Sequence, residues 1–486
     1  MNDTPDMLTG TKFDKDVEEQ ADLSIYVEHG ESGDAELFAD KYGGIVVYSH
    51  TEKQWFLKEG DYYIKDEKGK IVKFVKNIAE MYFASATAAK QGSESQKVFS
   101  RRAVDLLSKH RIENVLWHAQ SNNAIGMVTN EWSDDPMTLP VANGIIDLRT
   151  GELRHAKPGE YIREHSDVEW KGLDAPCPLW DKTILRIHGG DVVMVEFMQR
   201  VFGYTISGNV DEKAFFIQYG EKGNNGKSTV NETIANVIGE HFCEPVPANV
   251  LMSATKSGNA HGATPFLMIL KGKRFAWAGE NDAGARVNVG MIKLATGMDR
   301  VTGRENYGDP ENFSATHKLF LMTNHKPHIP ADDNAMWNRV IPIEYAQSFA
   351  EQPTEKQLPS DKDLGRKLKA EYSGILAWLV RGCMEWQKIG LKVPEAVKQD
   401  KSAYRESEDD LFIFLRDFCT IGVDERDTLS NIYSAYSKDC MEANKHPMQR
   451  EAFGRQMTSR FGPSVPKRSK DTGKLERFYD GISLSE

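Results

Sequence analysis

No stretch of this sequence approaches the ~18–20 consecutive apolar residues that a bilayer-spanning helix requires. The first ten residues, MNDTPDMLTG, are polar and acidic, so a secretory leader is not expected. Cysteine is scarce: Cys177, Cys243, Cys383, Cys419 and Cys440 are the five in 486 residues, and none forms a CxxC pair. That spacing excludes a disulfide-stapled secreted fold and argues against a zinc site; it fits reduced thiols buried as small hydrophobes in a cytoplasm. An excess of positive charge is missing too. Lys and Arg number 61 against 72 Asp and Glu, a net −11. A protein coated in nucleic acid is therefore disfavoured, although a motor that lines only a narrow channel with cations is not excluded. No internal repeat in the ~20–50-residue range is visible.

What is present is ordinary globular composition and a length that suggests roughly three domains. Residues 1–175 mix strand-like and helical runs, an α+β domain. GGIVVYS, QWFLKEGDYYIKDEKGKI and NGIIDLRTGEL read as strands and hairpins, with helices at LFADKY and RRAVDLLSKH. The prolines in Asp174-Ala-Pro-Cys-Pro mark a linker. Residues 176–208 read as a helical collar. From 209 to 350 apolar strands alternate with helices, the pattern of an α/β layer with a parallel sheet. A helical segment at 351–408 and a small unit at 409–486 follow; the latter has three helices and a basic hairpin, PKRSKDTGKLERFYDGISL, which suggests a winged-helix-like domain.

The strongest local signal is AFFIQYGEKGNNGKSTVNETIANVI. An apolar strand runs into a Gly-rich loop and then a helix, whose backbone N–H groups and positive end make an anion site. Gly220, Gly223, Asn224, Asn225, Gly226, Lys227, Ser228 and Thr229 are the candidate ATP-binding residues. Lys227 would reach the β- and γ-phosphates and Ser228 would ligate Mg²⁺. The strict pattern places its first glycine where this chain has Glu221; the glycine is one residue earlier, at Gly220. Gly223 and Gly226 keep the loop permissive, and Asn225 is expected to supply a positive φ.

Two later strands end in polar residues. KGKRFAWAGEND carries Glu280, a carboxylate placed to assist Mg²⁺ and an attacking water, with Asn281 and Asp282 as alternates for the metal. KLFLMTNHKP carries Asn324, an amide that can hold that water against the γ-phosphate.

The order GNNGKST, RFAWAGEN, KLATGMDRVTGR, KLFLMTNHKP and MWNRVIPIEY resembles the superfamily-three helicases, and within them the helicase half of phage and plasmid primase-helicases, relatives of the poxvirus primase-helicase. NGIIDLRTGEL and GILAWLVRGCMEWQKIGL extend the resemblance to both sides. It implies an AAA+-like core assembling as a ring, expected to be a hexamer, around single-stranded or forked DNA. It further implies Walker A at Lys227 and Ser228, Walker B at Glu280, sensor one at Asn324 and an arginine finger at Arg339. The family's paired arginines are here Asn338-Arg339. Lys293, Arg300, Arg304 and Tyr307 match the positions that carry DNA contacts. No primase motif is found, so the resemblance implies a helicase without an attached primase, with a separate primase as a possible partner, in the cytoplasm of a bacterial host. Two other readings compete: a different P-loop enzyme such as a packaging motor or kinase, and a ring that binds DNA without hydrolysis.

Overall fold

A computed structural model describes residues 23–128, 131–252, 265–279, 285–297, 300–304, 310–443, 445–468 and 475–485. It divides into two compact units, Met1–Ala175 with Val237–His241, and Pro176–Asn236 with Phe242–Glu486.

In the first unit, strands Tyr62–Lys65, Gln54–Glu59, Val46–Ser49 and Gly126–Met127 form one sheet in that order. Helices Gly30–Tyr42, Ile71–Ala88 and Lys109–Ala119 bury Leu37, Phe38, Val75, Ile78 and Val115 in a core beside it. Helix Ile71–Ala88 begins at the last residue of the run QWFLKEGDYYIKDEKGKI expected as strands and hairpins. Its start is fixed by a side chain outside the helix: Asp66 accepts from the N–H groups of Lys70 and Ile71, both at 2.8 Å, satisfying donors that the first turn leaves orphaned. The expected hairpin at NGIIDLRTGEL is present as Gly144–Asp147 and Glu152–Arg154.

The second unit is built on five parallel strands. We number them β1 (Phe215–Tyr219), β2 (Cys243–Val246), β3 (Phe275–Gly279), β4 (Lys318–Thr323) and β5 (Val340–Glu344); α1 (Lys227–Ile238) follows β1. The order across the sheet is β5-β1-β4-β3-β2. Composition explains which strands are central. FFIQY is buried at every position and KLFLMT at all but one, as strands covered on both faces must be. The two edge strands each contain a proline, Pro342 and Pro245, which cannot donate to a ladder and so ends the sheet there.

Helix Val192–Ile206 ends at the amino edge of this sheet. There the Arg274 guanidinium donates to the Ile206 carbonyl at 2.6 Å, and the Lys318 ammonium donates to the Ser207 and Thr316 carbonyls. Both cations are buried, and each lies on an aromatic face, Phe242 for Arg274 and Tyr204 for Lys318. Cations at a helix C-terminus offset the negative end of its dipole.

Beyond the sheet, helix Glu395–Ser407 is followed by helix Asp410–Phe418, strand Cys419–Thr428, helices Leu429–Glu442 and Arg450–Phe461, and strands Val465–Arg468 and Leu475–Leu484. Leu411, Phe414, Ile432, Phe453, Met457 and Ile482 give this terminal part its own core. The first of the three expected helices is Asp410–Phe418; Cys419 and Thr420 after it open the strand Cys419–Thr428, which pairs with Leu475–Leu484. All five cysteines are free and buried. No described helix is long and apolar enough to cross a membrane.

Candidate functional site: a phosphate-binding loop at the carboxyl end of the sheet

The loop between β1 and α1 takes its shape from three residues with positive φ: Gly223 at 66°, Asn224 at 45° and Gly226 at 88°. The left-handed asparagine is thus Asn224, not Asn225 as expected. Asn225 is buried and does a different job. Its Nδ2 donates to the carbonyls of Tyr345 and Gln347, at 2.8 and 2.9 Å, stitching the loop to the chain that leaves β5. A Cβ on Gly220 would lie 2.6 Å from that same Tyr345 carbonyl. The close approach therefore falls at position 220, and the next position is free to be Glu221, which is exposed. This accounts for the displaced first glycine.

Lys227 is buried at the first position of α1, with Nζ reaching three neutral oxygens: Gly220 O at 3.4 Å, Asn225 Oδ1 at 3.2 Å and Asn324 Oδ1 at 3.4 Å. Asn324 follows β4, the strand hydrogen-bonded beside β1. Two residues 97 apart in sequence are so brought together by parallel pairing. They share a cavity of about 450 Å³ whose wall includes Gly223–Thr229, Gly279 and Asn324. The Ser228 hydroxyl is exposed there and Thr229 is half-buried. Gly279 ends β3 on this wall; Glu280, Asn281 and Asp282 come next and lie outside the described residues. An ammonium, the N–H groups of a helix start and a strand-tip amide around one cleft are groups whose chemistry suits a polyphosphate. Among the described residues no group of three His, Cys, Asp or Glu side chains is arranged to hold a metal by itself.

Arg339 is at the other end of the sheet. Its carbonyl accepts from the Phe215 N–H at 2.7 Å, at the start of β1. Five strand residues at ~3.3 Å each separate it from the loop, roughly 16 Å. Its guanidinium donates to Thr296 Oγ1 at 3.1 Å and the Ala335 carbonyl at 2.7 Å. Arg339 is therefore outside its own chain's phosphate cleft.

The four other cations and rings separate. Lys293 is ion-paired at 2.6 Å with Asp333, the residue that caps helix Asn334–Trp337. Arg300 and Arg304 are exposed on a two-stranded antiparallel ribbon, Arg300–Gly303 with Glu311–Ser314, and its immediate continuation. Tyr307 lies outside the described residues.

Two supporting groups escaped the sequence reading. Gln218 and Asn231 exchange hydrogen bonds of 3.1 and 2.7 Å between β1 and α1, and Gln218 also reaches the Tyr345 hydroxyl at 3.0 Å. Asp400, from helix Glu395–Ser407, accepts from Tyr219 Oη at 2.9 Å and from Lys326 Nζ. Lys326 lies over the Tyr219 ring, 4.4 Å from its centroid. Asp400 so ties the end of β1 to the segment just after Asn324. Burial, then the Asp400 carboxylate, push the Tyr219 phenol well above its ordinary range.

Comparison with known proteins adds two family matches. Residues 35–189 match the family "D5 N terminal like", and residues 218–339 match the "Family of unknown function (DUF5906)". The second match runs from β1 to Arg339. A protein of Acanthamoeba polyphaga mimivirus described as "Putative helicase L207/L206" is 26% identical over 424 residues, covering 79% of this chain and 42% of that protein. The "Putative helicase 022R" of Frog virus 3 is 25% identical over 261 residues, 51% of this chain and 26% of the relative. The chain thus spans less than half the length of either. Among solved structures, the NrS-1 C-terminal region (residues 305–718) superposes with a TM-score of 0.47 at 10% identity, covering 93% of this chain and 99% of that one.

Proposed function

We propose, on the premise that the chain belongs to the primase-helicase family marked by its D5 N terminal like and DUF5906 segments, that it is an ATP-driven DNA helicase with an AAA+-like core, acting as a hexameric ring on single-stranded DNA in the replication of a phage or mobile element. The observation that carries this reading is Lys227 Nζ within 3.4 Å of Asn324 Oδ1, a loop cation and a strand-tip amide meeting over a helix N-terminus. That pair suits a γ-phosphate on one side and an attacking water on the other. The helicase descriptions of the mimivirus and Frog virus 3 relatives support nucleotide use.

In this reading Lys227 and the loop N–H groups hold the β- and γ-phosphates, and Asn324 orients the water. Glu280 accepts its proton. The Ser228 hydroxyl, an exposed oxygen in the cleft, suits Mg²⁺, which favours oxygen ligands; when bound, the ion neutralises phosphate charge. Arg339 serves a neighbouring subunit, a role that its distance from its own loop favours. Arg300, Arg304 and Tyr307 meet the DNA strand, with Lys293 contributing less because Asp333 already engages it. The terminal helix–strand–helix–helix–hairpin order is that of a winged helix, a second surface for DNA or for a separate primase.

The test is ATP turnover with and without single-stranded DNA, together with unwinding of a fork with defined tails. The parental protein should be stimulated by the strand and open the fork, and Lys227→Ala should do neither. Turnover indifferent to DNA, with no unwinding, would point instead to a kinase or packaging motor.

A further inference from the structure

Two short helices converge on Arg339. One is Val289–Ala295, closed by Thr296; the other is Asn334–Trp337, which ends just before Arg339. Side chains tie them together twice. Asp333 accepts from the Met336 N–H at 2.9 Å, capping the second helix, and from Lys293 Nζ at 2.6 Å. Arg339 Nε donates to Thr296 Oγ1 at 3.1 Å, while its Nη1 donates to the Ala335 carbonyl at 2.7 Å.

We propose that Thr296 is the positioning residue for Arg339: its hydroxyl, with the Ala335 carbonyl, sets the guanidinium plane and leaves Nη2 to meet the phosphate of a neighbouring subunit. The proposal rests on the reading of Arg339 as a residue that serves a neighbour's site. A guanidinium is planar, so bonds to two of its nitrogens fix its orientation. Among the described residues Nη2 makes no hydrogen bond of its own.

The polarity of the contact singles out the hydroxyl. Thr296 Oγ1 donates its one proton to the Ile292 carbonyl at 2.6 Å, so toward Arg339 it can only accept. Thr296 is 6% exposed, which leaves little room for a water to stand in for it. Charge is arranged to the same end. Asp333, the acid that caps this helix, is engaged by Lys293, and both partners of Arg339 are neutral. An arginine paired with a carboxylate would have to give up that partner before it could stabilise an incoming anion. One held by a hydroxyl and a carbonyl keeps its orientation and its charge together. Lys293, expected from the sequence to contact DNA, thus has a use in keeping Asp333 occupied.

The experiment measures ATP affinity and ATP turnover, the latter with enzyme in excess over ATP so that slow residual hydrolysis is counted. It compares the full chain with Thr296→Val, Thr296→Ser, Arg339→Ala and the double variant Thr296→Val/Arg339→Ala. Valine keeps the shape but offers no acceptor. Affinity should stay parental and turnover should fall roughly 10–100-fold, the usual size of one hydrogen bond to a charged group. Serine keeps the hydroxyl and should recover most of the rate. In the double variant valine should add nothing to the loss caused by Arg339→Ala, because it acts through that residue. The proposal is overturned by a serine variant as slow as valine, by ATP affinity that falls with the rate, or by a further loss in the double variant. Arg339→Ala alone separates the underlying reading. If it turns over at the parental rate, Arg339 has no part in hydrolysis and the proposal falls with it. If it is slow while Thr296→Val is parental, only the positioning role is refuted. Thermal unfolding shows whether each variant is folded, and Thr296→Ala takes the place of valine if the branched side chain does not fit.

Discussion

At the carboxyl end of the five-stranded sheet, Lys227 reaches three neutral oxygens and lines an open cleft. At the amino end, Lys318 also reaches neutral oxygens, but it is 2% exposed and its partners are the Ser207 carbonyl at a helix terminus and the Thr316 carbonyl just before β4. The type of side chain and the type of partner are the same, although burial, then the neighbouring Arg274, push the Lys318 ammonium well below its ordinary range. What differs is what the partners would otherwise do. In the proposed function, Gly220, Asn225 and Asn324 hold Lys227 where a polyphosphate can replace them as its hydrogen-bond acceptor. Ser207 and Thr316 instead lie with Lys318 in the buried end of the sheet, where Lys318 completes the fold. A buried lysine is thus functional or structural according to whether a better partner can reach it, and not according to its burial.

Four experiments would break or sharpen this contrast. The largest effect is expected at Arg339, the cation at the amino end that is half-buried. If it completes a neighbour's site, Arg339→Ala should bind ATP normally but turn over ~10³–10⁵-fold more slowly. Mixing it with Lys227→Ala should restore part of the activity, once exchange of subunits has been shown by co-purification of one tagged variant with the other. A mixture as inactive as either parent would leave Arg339 as a clamp on Thr296 and Ala335.

The second prediction concerns pH and one histidine at each end. His188 packs its ring against Tyr345 near the loop, and His317 directly precedes Lys318. Burial pushes both down to about 4, against Asp191 acting the other way on His188, and with Lys318 adding to the depression at His317. Unfolded imidazoles titrate near 6.5, so the unfolded chain takes up protons first as the medium is acidified. Stability should be fully present above about pH 6.5 and decline toward pH 4, by about 3 kcal/mol at most for each group. Urea midpoints across that range would show it, and His188→Gln and His317→Gln should each flatten the decline. A flat parental profile would mean neither imidazole is buried neutral.

Third, Lys318→Met keeps length but removes the donor, leaving the Ser207 and Thr316 carbonyls without this partner. A loss of about 1–3 kcal/mol of stability is expected, with ATP affinity of the folded protein unchanged. A Lys318→Met protein that folds as well as its parent but no longer binds ATP would reverse the assignment of the two ends. The smallest effect belongs to Asp400→Asn, which keeps shape and weakens the hold on Lys326. Turnover should fall within about tenfold, through misplacement of Asn324, while ATP affinity is retained and Asp400→Glu recovers part of the rate. Equal losses in affinity and rate would show Asp400 acting on the loop and not on the strand tip.

How much of this could be read from the sequence depends on distance along the chain. The loop from Gly220 to Thr229 was legible because strand, turn and helix are contiguous and each needs particular residue types. Asn324 was legible as a polar residue closing an apolar run. The opposite roles of Asn224 and Asn225 were not, because the choice is made by carbonyls at Tyr345 and Gln347, more than a hundred residues later. Asp400 sits 181 residues from Tyr219 in a helix with no motif, and only folding gives it meaning. Helix Ile71–Ala88 failed for a related reason: its start signal is Asp66, on the far side of a turn, with no capping residue at its own boundary. Arg339 was nameable only through resemblance, since nothing local separates it from an ordinary surface cation.

One further consequence follows from the way β5 is fastened. At its start the Arg339 carbonyl is held by Phe215, and just past its end the Tyr345 N–H is held by the Tyr219 carbonyl, both at 2.7 Å. The Tyr345 carbonyl then grips Asn225. In mechanical terms the strand is a tie bar, already near its full length and pinned at both ends, so it has little slack to take up. A pull on Arg339 reaches the phosphate loop as tension along five residues, with no hinge in between to absorb it.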